Sequence, residues 1–271
     1  MLCHSADRSA VRVYCALRDR LGRDAVHLVS SEQLMIAPHW RHALERDRVA
    51  STVTLADGRR IDPDSLSLVF QRLQRVEIAQ FAHAKPSDRD YAQSEMQALL
   101  LSWLEGLPCP VVNRASPRGL CGAERSLVEW LVLAARVGLP VRGYELVSDA
   151  RRSTRRELAA HLAREGTGAS EPPQLLRPEL LGRGPVQWLE RVEGTSYRLI
   201  VAGARCYGAP PDIDPAACVK LARLSGEHLL EIRLGRARGE WRVCSATPVP
   251  ELSSEAARFV AETCAEMRMA A

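Results

Sequence analysis

Apolar residues recur every three or four positions in several stretches of the chain, and this spacing predicts amphipathic helices. Residues 9–21 show it first, and residues 87–106 carry the longest apolar stripe, with Ser87 or Asp88 as the expected N-cap. The same spacing predicts further helices over residues 124–137, 154–165, 214–225 and 253–267. One face of each helix is therefore expected to pack against a core.

Other stretches are rich in β-branched residues or alternate apolar and polar positions, which predicts strands. Residues 50–61 are a predicted hairpin, because Asp57-Gly58 separates two alternating runs. Residues 186–208 predict an antiparallel strand–turn–strand–turn–strand unit, with turns at Glu193-Gly194 and Gly203-Ala204. Further strands are predicted over residues 25–30, 66–73, 107–114, 138–148, 229–234 and 241–245. The mixture of helices and strands indicates an α/β protein.

Residues 165–185 interrupt this pattern with a polar stretch rich in Gly and Pro, which predicts a loop or linker. The remaining composition, 46% hydrophobic and 26% charged, is typical of a globular protein. No apolar run approaches the roughly 20 residues of a membrane-spanning helix. The N-terminal residues lack a basic region followed by an apolar block, so no signal peptide is predicted. We therefore expect a soluble cytoplasmic protein that does not bind a membrane.

The charged and metal-ligating residues exclude several classes of function. The net charge of +4 is mild, and the Arg-rich residues 151–156 contain no aromatic residues, so no nucleic-acid partner is expected. The eight cysteines form no CxxC pair. His39 and His42 have no further ligands nearby and are expected to be surface residues. Lys85 and Lys220 are the only lysines, which restricts any chemistry that needs an ammonium group.

Residues 186–208 also resemble a stretch of ATP-grasp ligases in which one strand ends in a Gln-x-hydrophobic-Glu-like hinge and the next carries an Arg. The matching positions are Gln187, Trp188, Leu189, Glu190 and Arg198. The resemblance implies that the hinge backbone pairs with adenine and that the Arg faces the phosphates and the acyl intermediate. On this stretch alone, an ordinary hairpin with a solvated Arg is an equally good interpretation.

The order of weaker motifs extends the resemblance over nearly the whole chain. Asn113 and Arg114 follow a predicted strand, Gly138-Leu139-Pro140 precedes the next, and residues 247–252 keep a Pro-x-Pro tail. This order is similar to that of ATP-grasp peptide maturases and glutamate ligases.

The resemblance implies a fold class and a domain division. It implies a pre-ATP-grasp α/β domain over residues 1–112, followed by a reduced ATP-grasp-like α+β domain with an antiparallel sheet over residues 113–271. Between residues 148 and 185, neither a strand bearing a Lys nor a Gly-rich phosphate loop is evident. The lid over ATP is therefore expected to be eroded or missing.

The charged positions of the family are not preserved. The resemblance places the phosphate-binding Lys of the helix near Arg125 or Ser126, so this Lys is absent, and it places the three magnesium ligands of the tail at Arg233, Ser245 and Thr247. Mg²⁺ prefers oxygen ligands, and a guanidinium would repel it. We therefore predict no metal ligand and regard Mg²⁺ as an improbable cofactor, while ATP remains a candidate. Glu231, on the same strand face as Arg233, is a weaker candidate as a substitute ligand.

Three functions follow from these departures. The first is a degenerate, non-catalytic accessory protein that binds a peptide or a partner protein in a modification pathway. The second is an active ATP-dependent carboxylate–amine ligase in which Arg125, Arg198 and Arg233 clamp phosphate. Glu190 or Glu193 would then bind the ribose. The third is a nucleotide or anion sensor without turnover. The sequence specifies neither a substrate nor an oligomeric state.

Overall fold

The computed structural model describes residues 1–46, 49–76, 78–149, 158–162 and 183–270. The architecture is mixed α/β, with six α-helices and fourteen strands in the described part of the chain. The helices are α1 (Arg8–Leu21), α2 (Ser31–Met35), α3 (Pro86–Glu105), α4 (Leu127–Arg136), α5 (Pro215–Ser225) and α6 (Ser254–Ala270). The strands are β1 (Leu2–Cys3), β2 (Val29–Ser30), β3 (His39–Leu44), β4 (Val49–Thr54), β5 (Arg60–Ile61), β6 (Val69–Phe70), β7 (Val111–Val112), β8 (Tyr144–Asp149), β9 (Leu158–Leu162), β10 (Arg183–Glu190), β11 (Glu193–Ala202), β12 (Arg205–Tyr207), β13 (Leu229–Ala237) and β14 (Glu240–Thr247).

The N-terminal part combines short parallel strands with an antiparallel ribbon. β1 pairs with β2 and β6 pairs with β7, both in parallel. A bridge between Leu2 and Gln71 places β1 beside β6. The ribbon β3-β4-β5 contains the predicted hairpin, and its turn is made by Gly58 at a φ of +84°, a conformation that suits Gly. His39 and His42 therefore lie on a strand.

The long helix α3 supplies much of the core beneath this ribbon. Leu100, Trp103 and Leu104 are buried, and the Trp103 ring meets Trp40 of β3 edge-on at 5.3 Å between centroids. The helix begins with Pro86 at its first turn and has no side-chain cap. The predicted caps at Ser87 and Asp88 are thus wrong, because Pro86 needs no partner for a backbone N–H and starts the helix earlier.

The C-terminal half is built on an antiparallel sheet with the order β12-β11-β13-β14. One face packs against α4 and α5 through Leu199, Val201, Leu230, Ile232 and Leu234. At the opposite face, Ile200, Ala202 and Leu229 pack with α6. Asp214 caps α5 by accepting from Ala216 N at 2.8 Å, as its position before Pro215 predicts.

A second antiparallel sheet has the order β8-β10-β9. β10 therefore does not pair with β11, as the predicted three-strand unit required, and the link between them is Arg191 and Val192 rather than Glu193-Gly194. The hairpin β11-β12 around Gly203 is confirmed. Local turn chemistry predicted the wrong partner for β10, because strands distant in sequence compete for its edges.

The region predicted to be helix and linker contributes to this sheet. Residues 158–162 form β9, not the predicted helix, since they pair with β10 over five residues. The rest of residues 154–165, the Arg-rich residues 151–156 and residues 165–182 lie outside the described part of the chain. A three-stranded sheet is therefore present where the sequence predicted an eroded lid. No helix in the described residues is long and apolar enough to cross a bilayer.

Candidate functional site

Several charged side chains, including the predicted site residue Arg198, lie together on one face of the four-stranded sheet. Arg198 of β11 lies directly opposite Arg233 of β13. Because side chains alternate along a strand, Glu231 shares this face while Ile232 points to the helices on the other side. We call Arg198, Glu231, Arg233 and Glu251 the ion-pair cluster.

The ion-pair cluster is closed by short contacts. Arg233 Nε donates to Glu231 Oε1 at 2.6 Å, and Arg198 Nη1 donates to Glu251 Oε2 at 2.6 Å. Arg198 Nε also lies 4.0 Å from Glu231 Oε1. The second oxygen of Glu231 accepts the backbone N–H of Glu251 at 3.1 Å. Glu231 is fully buried, so its charge is balanced by guanidinium groups rather than by water.

The outer pair of the ion-pair cluster is more exposed than the inner one. The Glu251 side chain is 74% exposed and that of Arg198 is 43% exposed. Their hydrogen bond lowers the pKa of Glu251 and raises that of Arg198. Both groups therefore stay charged at neutral pH, and Glu251 is the member that can move away without uncovering a buried charge.

Hydroxyl side chains occupy the strand next to the ion-pair cluster. Ser245 of β14 lies opposite Arg233, and Thr247 lies opposite Glu231. Thr247 Oγ1 accepts the N–H of Val249 at 3.2 Å. Among the described residues there is no group of three His, Cys, Asp or Glu side chains that could hold a metal ion.

The predicted hinge forms the end of β10. Gln187 lies between Leu146 of β8 and His161 of β9 in the backbone register. Trp188 and Leu189 are buried. Their side chains thus belong to the interior, and only their backbone groups remain available to a ligand.

Glu190, the last hinge position, is tied to the segment that leads into β8. Its backbone N–H donates to Gly143 O at 2.8 Å, and its Oε2 accepts Gly143 N at 2.9 Å. Its carbonyl accepts Arg142 Nη2 at 2.5 Å. Arg142 is 7% exposed, and burial lowers its pKa. Sequence reasoning missed Arg142, a charged residue that stands between Val141 and Gly143 just before β8.

Two further predicted residues lie apart from the ion-pair cluster. Arg125 donates to Ser225 O at 2.7 Å, at the end of α5, and packs over the Trp130 ring at 5.6 Å. Glu193 is exposed at the start of β11, opposite Arg236. The described contacts of Arg125 thus cap a helix, and they do not connect it to Arg198.

Asn113, a position of the predicted motif, joins the two halves of the chain. Its Oδ1 accepts the N–H groups of His228 and Leu229 at 2.8 and 2.7 Å. Its Nδ2 donates to the carbonyls of Leu229 and Pro248 at 2.7 and 2.9 Å. Every hydrogen-bonding position of this buried amide is therefore used to hold the start of β13 and the Pro-x-Pro segment.

Glu227 lies beside this junction and was missed by sequence reasoning. It is 5% exposed, its Oε1 accepts Ala123 N at 2.9 Å, and its Oε2 has no partner. Burial raises the pKa of Glu227 to about 7. The sequence signal was an acid between Gly226, which ends α5, and an apolar strand.

Comparison with solved structures identifies the fold. The RiPP-associated ATP-grasp ligase of Chryseobacterium gregarium, solved with ADP and a leader and core peptide, has a TM-score of 0.74 at 11% identity, covering 98% of this chain and 95% of that one. The ATP-grasp ligase PsnB, solved with minimal precursor, Mg and ADP, has a TM-score of 0.70 at 19% identity, covering 99% and 97%. The macrocyclase MdnC of Microcystis aeruginosa, bound to its precursor peptide MdnA, has a TM-score of 0.68 at 12% identity, covering 98% and 100%.

No family model and no curated protein matches the sequence. The structural likeness nevertheless spans almost the full length of each neighbour, so the chain has the ATP-grasp fold. The fold class expected from the resemblance, α/β with antiparallel sheets, is confirmed.

Proposed function

We propose that this chain is a non-catalytic ATP-grasp-fold protein that binds a peptide or protein partner in a peptide-modification pathway. The observation that carries the proposal is the state of Glu231. Both of its carboxylate oxygens are engaged, one by Arg233 and the other by the backbone N–H of Glu251. This buried acid, which lies opposite Thr247, is thus committed to contacts within the chain.

Magnesium chemistry needs a different set of groups. Mg²⁺ takes near-octahedral oxygen ligands, usually one or two carboxylates together with substrate phosphates. Here Ser245 and Thr247 offer hydroxyls, and Arg233 adds a positive charge within 2.6 Å of the buried carboxylate. Phosphoryl transfer depends on cations that neutralise the moving phosphate, and metal ions normally supply much of that charge. The residues present do not fit a magnesium site in this arrangement.

The peptide partner is supported by the solved structures that this chain resembles. The Chryseobacterium ligase was solved with a leader and core peptide, and MdnC was solved with the precursor peptide MdnA. We infer that this chain keeps a peptide-binding role after losing the metal ligands. Its eight cysteines are all free thiols, which agrees with a reducing cytoplasmic environment.

A nucleotide sensor is the second candidate, and the hinge supports it. Residues 187–190 form the end of β10, which pairs with β8, and the resemblance implies an adenine-binding hinge at these positions. However, the Glu190 carbonyl already accepts from Arg142. Nucleotide binding at that carbonyl would require Arg142 to give up its hydrogen bond.

Isothermal titration calorimetry with ATP, with and without Mg²⁺, separates these functions. An accessory protein is expected to show no heat of ATP binding. A sensor is expected to show a heat of binding that does not depend on Mg²⁺, whereas an active ligase should bind ATP only when Mg²⁺ is present. ADP release with candidate amines and acids is measured in parallel. ADP formation above a no-protein blank would overturn the non-catalytic proposal.

A matched variant checks the reason for inactivity. Ser245→Glu combined with Thr247→Asn restores a carboxylate and an amide next to Glu231, across the β13–β14 pairing. We expect this double variant to gain Mg²⁺-dependent ATP binding only if Arg233 is also replaced by Met. If Ser245→Glu and Thr247→Asn suffice without the change at Arg233, the guanidinium is not the obstacle.

A further inference from the structure

Two cysteine side chains meet between β12 and α5, on the far side of the sheet from the ion-pair cluster. Cys206 lies in the middle of β12 opposite Val201, so both side chains face the apolar cluster against α5. Cys218 of α5 is fully buried in that cluster, whereas Cys206 is partly exposed. Cys218 belongs to that cluster and Cys206 packs against it. Cys206 is therefore accessible to small molecules, and Cys218 lies deeper in the protein.

This contact makes the two thiols chemically unequal. The neighbouring Cys218 thiol lowers the pKa of Cys206, and the Cys206 thiol in turn raises that of Cys218. Burial shifts the other buried thiols in the opposite direction from Cys206, raising the pKa of Cys3, Cys109, Cys121 and Cys264. Since the thiolate is the reactive form, Cys206 combines access with thiolate character.

A cavity of about 400 Å³ opens beside Cys206. Its walls are formed by the turn before β12 and by the outer face of α5, and they include Lys220 and Arg223. These cations stand one helical turn apart, and both are exposed. Within the described part of the chain, neither forms an ion pair with a carboxylate. The nearby Asp214 is occupied in capping Ala216 N.

Two unpaired cations beside a nucleophilic thiol suit a reagent that is both negatively charged and thiol-reactive. We propose that Cys206 is a modification site for small anionic disulfides, which Lys220 and Arg223 attract, and that Cys218 resolves the adduct into a Cys206–Cys218 disulfide. This site is independent of the ion-pair cluster. When small thiols are oxidised, the Cys206–Cys218 disulfide would link β12 covalently to α5.

The exchange balances without any further oxidant. The Cys206 thiolate attacks one sulfur of the small disulfide, whose S–S bond breaks, and a small thiolate leaves. Cys218 then attacks the Cys206 sulfur of the mixed disulfide and gives its proton to the departing second thiolate. The protein dithiol is oxidised to a disulfide, and the small disulfide is reduced to two thiols.

The test follows the modification of each cysteine by mass spectrometry in the full chain, with glutathione disulfide as the anionic probe and 2-hydroxyethyl disulfide as the neutral one. Cys15, which is exposed on α1, is the internal reference. We expect glutathione disulfide to modify Cys206 about tenfold faster than Cys15, because thiolate fraction and local positive charge both favour it. Preferential modification of Cys15 would contradict the proposal.

Variants separate the two parts of the mechanism. Lys220→Gln with Arg223→Gln is expected to slow the reaction with glutathione disulfide about fivefold while leaving the neutral probe within about twofold. Cys218→Ser keeps a hydroxyl donor to Cys206 and should accumulate the mixed disulfide, which the wild type converts to the Cys206–Cys218 disulfide. Cys15→Ser should change neither step.

Salt gives a check that needs no variant. Raising the NaCl concentration from 0.01 to 1 M shortens the screening length to about 3 Å, so it should slow only the anionic probe. The proposal would be overturned if the two probes showed equal salt dependence. It would also be overturned if Cys206 remained unmodified in the Cys218→Ser variant.

Discussion

Glu227 lies just before β13 and Glu231 lies within it, and both are buried, yet their surroundings differ. Glu231 is fully enclosed and meets Arg233 at 2.6 Å and Arg198 at 4.0 Å. Glu227 has one backbone donor, and its Oε2 has none. Arg125 is close enough to influence Glu227, but its hydrogen bond goes to Ser225 O.

The comparison shows that the partners of a buried carboxylate, together with its burial, decide what that carboxylate can do. A carboxylate held by guanidinium groups is not free to bind a metal. A carboxylate without a cation partner takes up a proton instead, as the raised pKa of Glu227 indicates. Glu231 is the first case, and it lies where the resemblance implies that a ligase needs a free acid. Glu227 is the second case, and it lies beside the Asn113 contacts that join the two halves of the chain.

The largest effect is expected from removing the buried partner of the ion-pair cluster. Glu231→Ala leaves Arg233, which is 27% exposed, without its closest counter-charge. Breaking a buried pair in this way typically costs about 3–5 kcal/mol. Chemical denaturation at pH 7 measures the loss in unfolding free energy.

Glu129→Gln is the matched control for that measurement. Glu129 forms a bidentate pair with Arg118, at 2.8 Å for both contacts, but its side chain is 39% exposed. Exposed pairs are usually worth less than about 1 kcal/mol. If Glu231→Ala costs no more than Glu129→Gln, the buried ion pair does not stabilise the fold.

The next effect is a pH dependence that belongs to Glu227. Its pKa is raised from 4.5 to about 7 in the folded protein, so the folded state holds the proton more tightly than the unfolded chain. The resulting stability is fully present below about pH 4.5 and is lost as the pH rises through about 7. Between pH 5 and 8 we expect the wild type to lose about 2.5 kcal/mol of unfolding free energy through this group.

Glu227→Gln keeps the acceptor for Ala123 N and removes the titration. The difference in unfolding free energy between wild type and Glu227→Gln should therefore grow from pH 5 to pH 8 in favour of the variant. His228 also has a lowered pKa through burial, but it is common to both proteins and cancels in the difference. A difference that is flat with pH would show that Glu227 is not held in its protonated form.

The contrast between the two glutamates was only partly predictable from sequence. Strand alternation placed Glu231 on the same face as Arg233, and the helix cap at Asp214 followed from local chemistry. The pairing of β13 with β14 was equally local, since a short turn joins them. These features depend on neighbours within a few residues, which a sequence displays directly.

The remaining features depend on contacts between distant residues. β10 pairs with β8 and β9 rather than with its neighbour β11, which no local turn signal reveals. The engagement of Glu231 by the backbone of Glu251 and of the Glu190 carbonyl by Arg142 joins segments far apart in the chain. The engagement of these candidate site groups by other parts of the chain is therefore a property of the tertiary structure, even though the residues themselves were recognisable in the sequence.

The smallest effect is expected at the outer edge of the ion-pair cluster. Glu251→Gln removes the partner of Arg198, but the Glu251 side chain is 74% exposed, so the loss should be less than about 1 kcal/mol and should shrink as salt increases. The backbone N–H that Glu251 gives to Glu231 is unaffected, so the inner pair remains intact. Denaturant titrations at 0.05 and 1 M NaCl compare Glu251→Gln with wild type. A loss as large as that of Glu231→Ala would mean that the exposed arm, and not the buried carboxylate, holds the ion-pair cluster together.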